Sequence, residues 1–355
     1  MIAAVALLGL PFLTAVALAL PQPAATLVWL DRIAGLLMLA VAIGAATLPV
    51  EALPLLRHDH LGSFAAILIA CVALAWQPNG TLVGKYLTLG GMVLAGLSID
   101  PFVREAGLIV AVSAALAPQM GVGWYRVPLA GAGLGLLLFG SILPPAPLAS
   151  GCALAGLATL AIAVPVLLPV LPLLALRHAG PELVALGVVS VAGCAVGLLL
   201  WPARKPRVPW IAVGQAGVIG ILFGLHSVEA IFAGLVLATL LVLSQAARAL
   251  ATGDGLTRLL AVAGVAGLPP FGVFPGLTLA IVVVAKQAPW LLLVLMPALA
   301  ALGWVGIKRL PALRIAASDR LSVAWIPLVA AALLGWFMPD PVVDWLRALS
   351  LDLIE

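Results

Sequence analysis

The sequence predicts an all-α polytopic membrane protein with about 13 transmembrane helices (about 12 to 14), two of them broken by proline. Three observations carry this reading. Of the 355 residues, 65% are hydrophobic and only 8% are charged, far too little polar surface for a domain folded in water. Apolar runs of about 20 residues, the length needed to cross a bilayer, recur from end to end. Proline, glycine and charged residues punctuate those runs.

The runs fall at residues 2–20, 27–50, 61–76, 82–99, 105–118, 127–143, 148–175, 180–201, 209–225, 227–247, 257–285, 288–307 and 323–339. The first has no basic n-region and no evident cleavage site, so it reads as a permanent helix rather than a signal peptide. Segment 105–118 is short enough to be re-entrant. Segments 148–175 and 257–285 are long and interrupted. Segment 131–140, GAGLGLLLFG, is rich in small residues and reads as ordinary close helix packing. No stretch is polar enough for a soluble domain, so residues 1–340 are expected to form a single transmembrane domain.

Beyond them, PVVDWLRALSLDLIE places Val342, Trp345, Leu346 and Leu349 at helical spacing, with Asp344, Arg347 and Asp352 interrupting the face. Residues 341–355 are therefore expected to form a short interfacial amphipathic helix anchored by its tryptophan.

Basic residues set the expected orientation. With the N-terminus in the cytoplasm, the inner loops carry Arg57, Arg104, Arg204, Lys205, Arg207, Arg248, Arg258, Lys308, Arg309, Arg314 and Arg320, 11 of the 17 Lys and Arg residues. Such a bias marks the inner side. The expectation is an integral protein of a bacterial inner (cytoplasmic) membrane, N-terminus inside and C-terminus outside.

Several function classes are excluded. A net charge of +4 with no clustered basic face argues against nucleic-acid binding. Cys71, Cys152 and Cys194 lie singly in apolar segments, with no CxxC or Cys/His spacing. His58 and His60 flank Asp59 in what reads as a polar loop rather than a metal site. All four histidines sit at loops or helix ends, which disfavours haem ligation. Walker-type loops, GxSxG and HExxH are absent. No catalytic residue, metal or cofactor is expected, and the chain is not expected to catalyse a reaction by itself.

The interrupted segments are the most informative. Pro165, Pro169 and Pro172 break one; Pro269, Pro270, Gly272 and Pro275 break the other. Each proline removes an amide donor and clashes with the carbonyl one turn earlier. In lipid the freed groups must be satisfied by protein or by a water-lined cavity. The breaks either shape the bundle or aim helix ends at an ion or solute, as in transporters.

The stretch Ala266–Leu277, AGLPPFGVFPGL, resembles the GLPPxxGFxxK/E element of the antiporter-like subunits of complex I, and more closely its GLPPFGxFxSE form in group 4 membrane hydrogenases. Ala195–Gly217, AVGLLLWPARKPRVPWIAVGQAG, resembles that family's helix end, basic loop and RLLAYSSIxHMG-like helix start. Leu30–Leu37 is similar to its LDxLSxLF. The matches follow the family order and span most of the chain, while residues 100–147 align poorly.

The resemblance implies an antiporter-like bundle, shortened and divergent. Loss of one N-terminal helix from the family's usual 14 would give the orientation above. It also implies a proton path of buried ionisable residues, and partners: the lipid bilayer and other membrane subunits of one complex, including a lysine-retaining antiporter-like subunit.

At the family's carrier positions this chain carries other residues. In the GxxTKxGxxP match, Leu160 replaces the lysine. In the NHALAKALLFL match, Gly234 and Ala238 replace the histidine and lysine. Leu277 stands where the Lys or Glu follows GLPPxxGFxx, and Tyr86 where an early membrane glutamate would fall. The remaining ion-path candidates are Lys85 and Lys286 near helix ends, where lysines snorkel; Glu229 with His226 at a helix start, where a carboxylate is favoured; and Gln215, in place of the family's SIxHMG histidine. Arg177, His178 and Glu182 read as a polar cap, and Asp31 with Arg32 as a local interfacial pair.

The expected function is a membrane-embedded subunit of an energy-converting, respiratory or hydrogenase-like complex, structural or with a modified ion path. The alternative is a stand-alone secondary transporter of a small or neutral solute.

Overall fold

The helices begin where the sequence supplies caps. In the computed structural model Asp59 Oδ1 accepts from the Gly62 amide at 2.6 Å and opens His60–Ala75 (α3). Thr81 Oγ1 accepts from the Gly84 amide and opens Leu82–Leu97 (α4). Asp100 accepts from the amides of Phe102 and Val103, with Pro101 pre-set for the first turn of Pro101–Leu116 (α5). That cap starts α5 four residues before the apolar run and gives it 16 residues. The structure describes residues 2–21, 23–48, 51–52, 57–75, 81–98, 100–117, 126–142, 147–164, 167, 171–176, 181–200, 208–251, 256–270, 272–308 and 324–354.

The chain divides into two compact units, residues 1–174 and 175–355. The first also contains Ile2–Ala19 (α1), Ala24–Ala46 (α2), Arg126–Ile142 (α6), Pro147–Ala163 (α7) and most of Leu171–Leu176 (α8). A two-residue antiparallel pairing joins Glu51–Ala52 (β1) to Arg57–His58 (β2). The second unit contains Pro181–Leu200 (α9), Val208–Gly224 (α10), Val228–Leu250 (α11), Leu256–Ala266 (α12), Phe274–Gln287 (α13), Leu292–Ile307 (α14), Trp325–Trp336 (α15) and Asp340–Asp352 (α16). Helices thus occupy the apolar stretches read from the sequence.

Three helix pairs close through facing glycines. A Cβ on Gly91 of α4 would meet the Gly107 carbonyl of α5 at 2.5 Å, and one on Gly107 would meet the Gly91 carbonyl at 2.7 Å. Gly133 and Gly156 join α6 to α7 in the same reciprocal way, and Gly187 and Gly217 join α9 to α10. Small residues let backbones approach where apolar burial gives little drive in lipid.

α11 is the core of the second unit, packed against α10, α12, α13, α15 and α16. α16 turns 73° from α15. It buries Leu346, Leu349 and Ser350 and leaves Val342 and Trp345 half-buried.

The outer surface is apolar. Leu13, Trp29, Ile33, Leu36, Leu200, Leu293, Ile326 and Phe337 are each more than half exposed. Water would penalise such a surface and hydrocarbon does not. The chain is an integral membrane protein. Among the described residues four helical stretches are individually long and apolar enough to cross a bilayer: Thr26–Ala46, Glu182–Leu200, Val228–Leu250 and Pro289–Ile307.

The interruption at 257–285 is a real helix break between α12 and α13. In 148–175, α7 stops at Ala163 and α8 starts at Leu171; Pro165 and Pro169 lie outside the described residues.

Candidate functional site

Part of the backbone freed at the α12–α13 break is paired locally and part by neighbouring helices. Gly267, at φ +75°, donates its amide to Gly264 O, and Leu268 donates to Ala263 O. This pairing of a left-handed glycine with a longer return bond ends a helix and fills two of its orphan carbonyls. The next one, Val265 O, accepts from Gln215 Nε2, on α10 and 1% exposed. Gln215 Oε1 is buried without a hydrogen-bond partner. Pro269 and Pro270, joined by a cis bond, are exposed, and Trp336 Nε1 donates to Pro270 O at 2.8 Å. Gly272, at φ +67°, returns the chain to α12, where the Val273 amide donates to Gly264 O at 3.1 Å.

Gln215 and Leu277 both approach Gly267 at this break. A Cβ on Gly267 would lie 2.7 Å from Leu277 Cδ1 and 3.7 Å from Gln215 Nε2. Leu277 is 7% exposed and closes the opening. The motif alignment therefore singled out two positions that share one place.

The other positions that the motif matches picked out are also buried or closely packed. Leu160 is fully buried, and its Cγ would lie 3.0 Å from a Cβ on Gly133. Gly234 lies under the ring of Phe223, close enough that a Cβ would overlap it. Ala238 is also buried. The Tyr86 hydroxyl donates to the backbone carbonyl of Asp31 at 2.8 Å.

Lys85 behaves differently from a snorkelling lysine. Its side chain is 2% exposed and turns inward, with Nζ 2.8 Å from Asp31 Oδ1 on α2. Nζ also lies 5.6 Å from the Tyr86 ring centre. The Asp31 carboxylate thus pairs with a lysine 54 positions away, where the sequence suggested its neighbour Arg32, which is exposed.

The remaining candidates lie apart from these two places. Glu229 occupies the first turn of α11, which Ser227 caps, and Lys286 the last turn of α13. Both are exposed, as is His226, and these placements suit the partial charges of helix ends. Gln287 Nε2 donates to Ser227 Oγ, joining these two helix ends. Glu182 is in the first turn of α9, while Arg177 and His178 lie outside the described residues.

Sequence reasoning missed two residues. One is Asp31 as the partner of Lys85. The other is Glu105, 5% exposed on α5. A signal for Glu105 exists: Glu105-Ala-Gly-Leu-Ile recurs as Gln215-Ala-Gly-Val-Ile. Gly107 packs on Gly91 as Gly217 packs on Gly187, so Glu105 and Gln215 hold equivalent places in two similar helix pairs.

Comparison with solved structures places this fold. A chain of the archaeal membrane-bound sulfane sulfur reductase, a respiratory membrane complex, superposes with a TM-score of 0.71 at 15% identity, covering 99% of this chain and 98% of that one. A chain of respiratory complex I from Thermus thermophilus gives 0.67 at 16% identity, covering 99% and 100%. A chain of the Mrp complex from Dietzia sp. gives 0.68 at 15% identity; it is longer, and the match covers 98% of this chain but 52% of that one. No protein-family model matches the sequence, and no curated protein sequence matches it. The chain has the fold of antiporter-like membrane subunits.

Proposed function

We propose that this chain is a membrane-embedded, antiporter-like subunit of an energy-converting complex related to complex I and the group 4 membrane hydrogenases, with a structural role or a modified ion path. The observation that carries this reading is the contrast between a full-length fold match and the filling of the carrier positions. Leu160 packs on Gly133, Gly234 lies under Phe223, and Leu277 closes the α12–α13 break. Leu, Gly and Ala bind no proton, so a path through those positions would have no carrier.

In this reading residues 1–340 form one transmembrane domain with about 13 crossings, and residues 341–355 lie at the interface. The N-terminus faces the cytoplasm of a bacterial cell and the C-terminus the outside. The partners are other membrane subunits, one of them an antiporter-like subunit that keeps its lysines. The family's ion-handling groups would then reside partly in the neighbour, and this chain would shape the surface against which that neighbour packs.

The test is purification from native membranes in a mild detergent, followed by identification of every accompanying chain. Recovery with antiporter-like and complex-I-like or hydrogenase-like subunits is expected. A stable lone chain that binds or moves a solute would instead support a stand-alone transporter.

A further inference from the structure

Among the described residues the buried charged side chains are Lys85 and Glu105, both within residues 1–174; the buried polar side chains of residues 175–355 are Gln215, Ser244, Thr257 and Ser350. A charge taken out of water is costly, and an ion pair inside a protein stabilises it little compared with apolar packing. Within a membrane domain such groups mark ion pathways. Lys85 and Asp31 form such a pair, with one side sealed and one partly open: Lys85 is 2% exposed and Asp31 24%. Tyr86 holds the Asp31 backbone carbonyl, which fixes α2 against α4 and leaves the carboxylate to Lys85.

We infer that Asp31 and Lys85 form a proton-exchange site, loaded from the Asp31 side. This rests on the reading above and supplies the modified path it leaves open. A proton arriving at Asp31 forms an O–H bond and neutralises the carboxylate. Lys85, now without its counter-ion in apolar surroundings, releases a proton: an N–H bond breaks, the electron pair stays on Nζ, and the proton passes to an acceptor water. The Asp31 proton then moves to Nζ and restores the ion pair. One proton has entered at Asp31 and one has left from Lys85.

Glu105 stands farther along the same helix pair. Lys85 precedes Gly91 by six residues and Glu105 precedes Gly107 by two, with the two glycines face to face and the helices joined by a short loop. At about 1.5 Å per residue the two charges are roughly 12 Å apart along the axis, a span that water must bridge.

The competing role is a static clamp between α2 and α4. Lys85→Arg separates the two, because guanidinium keeps the ion pair but does not give up its proton. The chain is purified with whatever subunits accompany it. It is then reconstituted in phosphatidylethanolamine–phosphatidylglycerol vesicles, and proton movement after an imposed pH step is read with a trapped dye. Protein-dependent movement is expected for the unaltered chain, falling by about ten-fold or more in Lys85→Arg, with yield and accompanying subunits unchanged. Should that variant not assemble, the paired neutral variant Asp31→Asn with Lys85→Met decides, and it is expected to lose the movement too. Proton movement like that of the unaltered chain in the variant that assembles, or no movement above empty vesicles in the unaltered chain, would overturn the inference. Its failure is distinct from failure of the subunit reading, which the accompanying chains decide by themselves.

Discussion

Gly272 lies directly on the backbone of Gly264, so that the two sides of the α12–α13 break fold onto one another. A Cβ at Gly272 would overlap the Gly264 carbonyl, and its φ of +67° is itself a glycine conformation. The two sides of the break are thereby held together, with Ala263, Gly264, Val265 and Pro270 accepting hydrogen bonds through their carbonyls. Gly272→Ala is expected to destabilise the protein by more than about 2 kcal/mol, through clash and backbone strain together. Thermal unfolding in detergent checks this against Gly193→Ala, where a Cβ meets nothing within 4 Å and no loss is expected.

Gln215 is the side chain that closes the end of α12. Gln215→Leu leaves Val265 O buried without its donor and should cost about 1–3 kcal/mol. Part of that loss is offset because the buried, unpartnered Oε1 disappears with it. A melting temperature equal to the unaltered protein's would show that Val265 O finds another donor.

Leu277 separates packing from transport. Leu277→Ala removes the cover of Gly267 and should cost about 2–5 kcal/mol, while leaving any proton movement by the assembly unchanged. Leu277→Lys places a charge beside Gln215 with no carboxylate provided and should lower stability further. A large loss of proton movement in Leu277→Ala would mean that the break does carry ions.

Gly234 reports on how closely α11 packs against Phe223 of α10. A Cβ there overlaps the Phe223 ring, so Gly234→Ala should cost about 1–3 kcal/mol by over-packing. Adding Phe223→Leu is expected to recover part of the loss. Strict additivity of the two changes in a double-mutant cycle would contradict direct contact.

The sequence revealed whatever depends on local pattern. The break between Ala266 and Phe274 was visible because two adjacent prolines flanked by glycines disfavour a continuous helix. The buried Leu346 and Leu349 of α16 were visible because helical spacing put them on one face. The start of α5 was written in Asp100-Pro101 but lay outside a purely apolar count, since a cap is polar. The Asp31–Lys85 pair was not legible, because it joins residues far apart in the chain. Rules for helix ends and adjacent charges pointed Lys85 to the interface and Asp31 to Arg32. Glu105 sat in the stretch that aligned poorly, and its place became clear only when Gly107 and Gly217 were seen to make equivalent contacts.

The most direct test of the account is a cryo-EM structure of the assembly purified from native membranes. It should show this chain packed laterally against other helical membrane subunits, one of them an antiporter-like chain with buried lysines, and Leu277 still closing the α12–α13 break. A monomer in which a solute occupies that break would contradict the account.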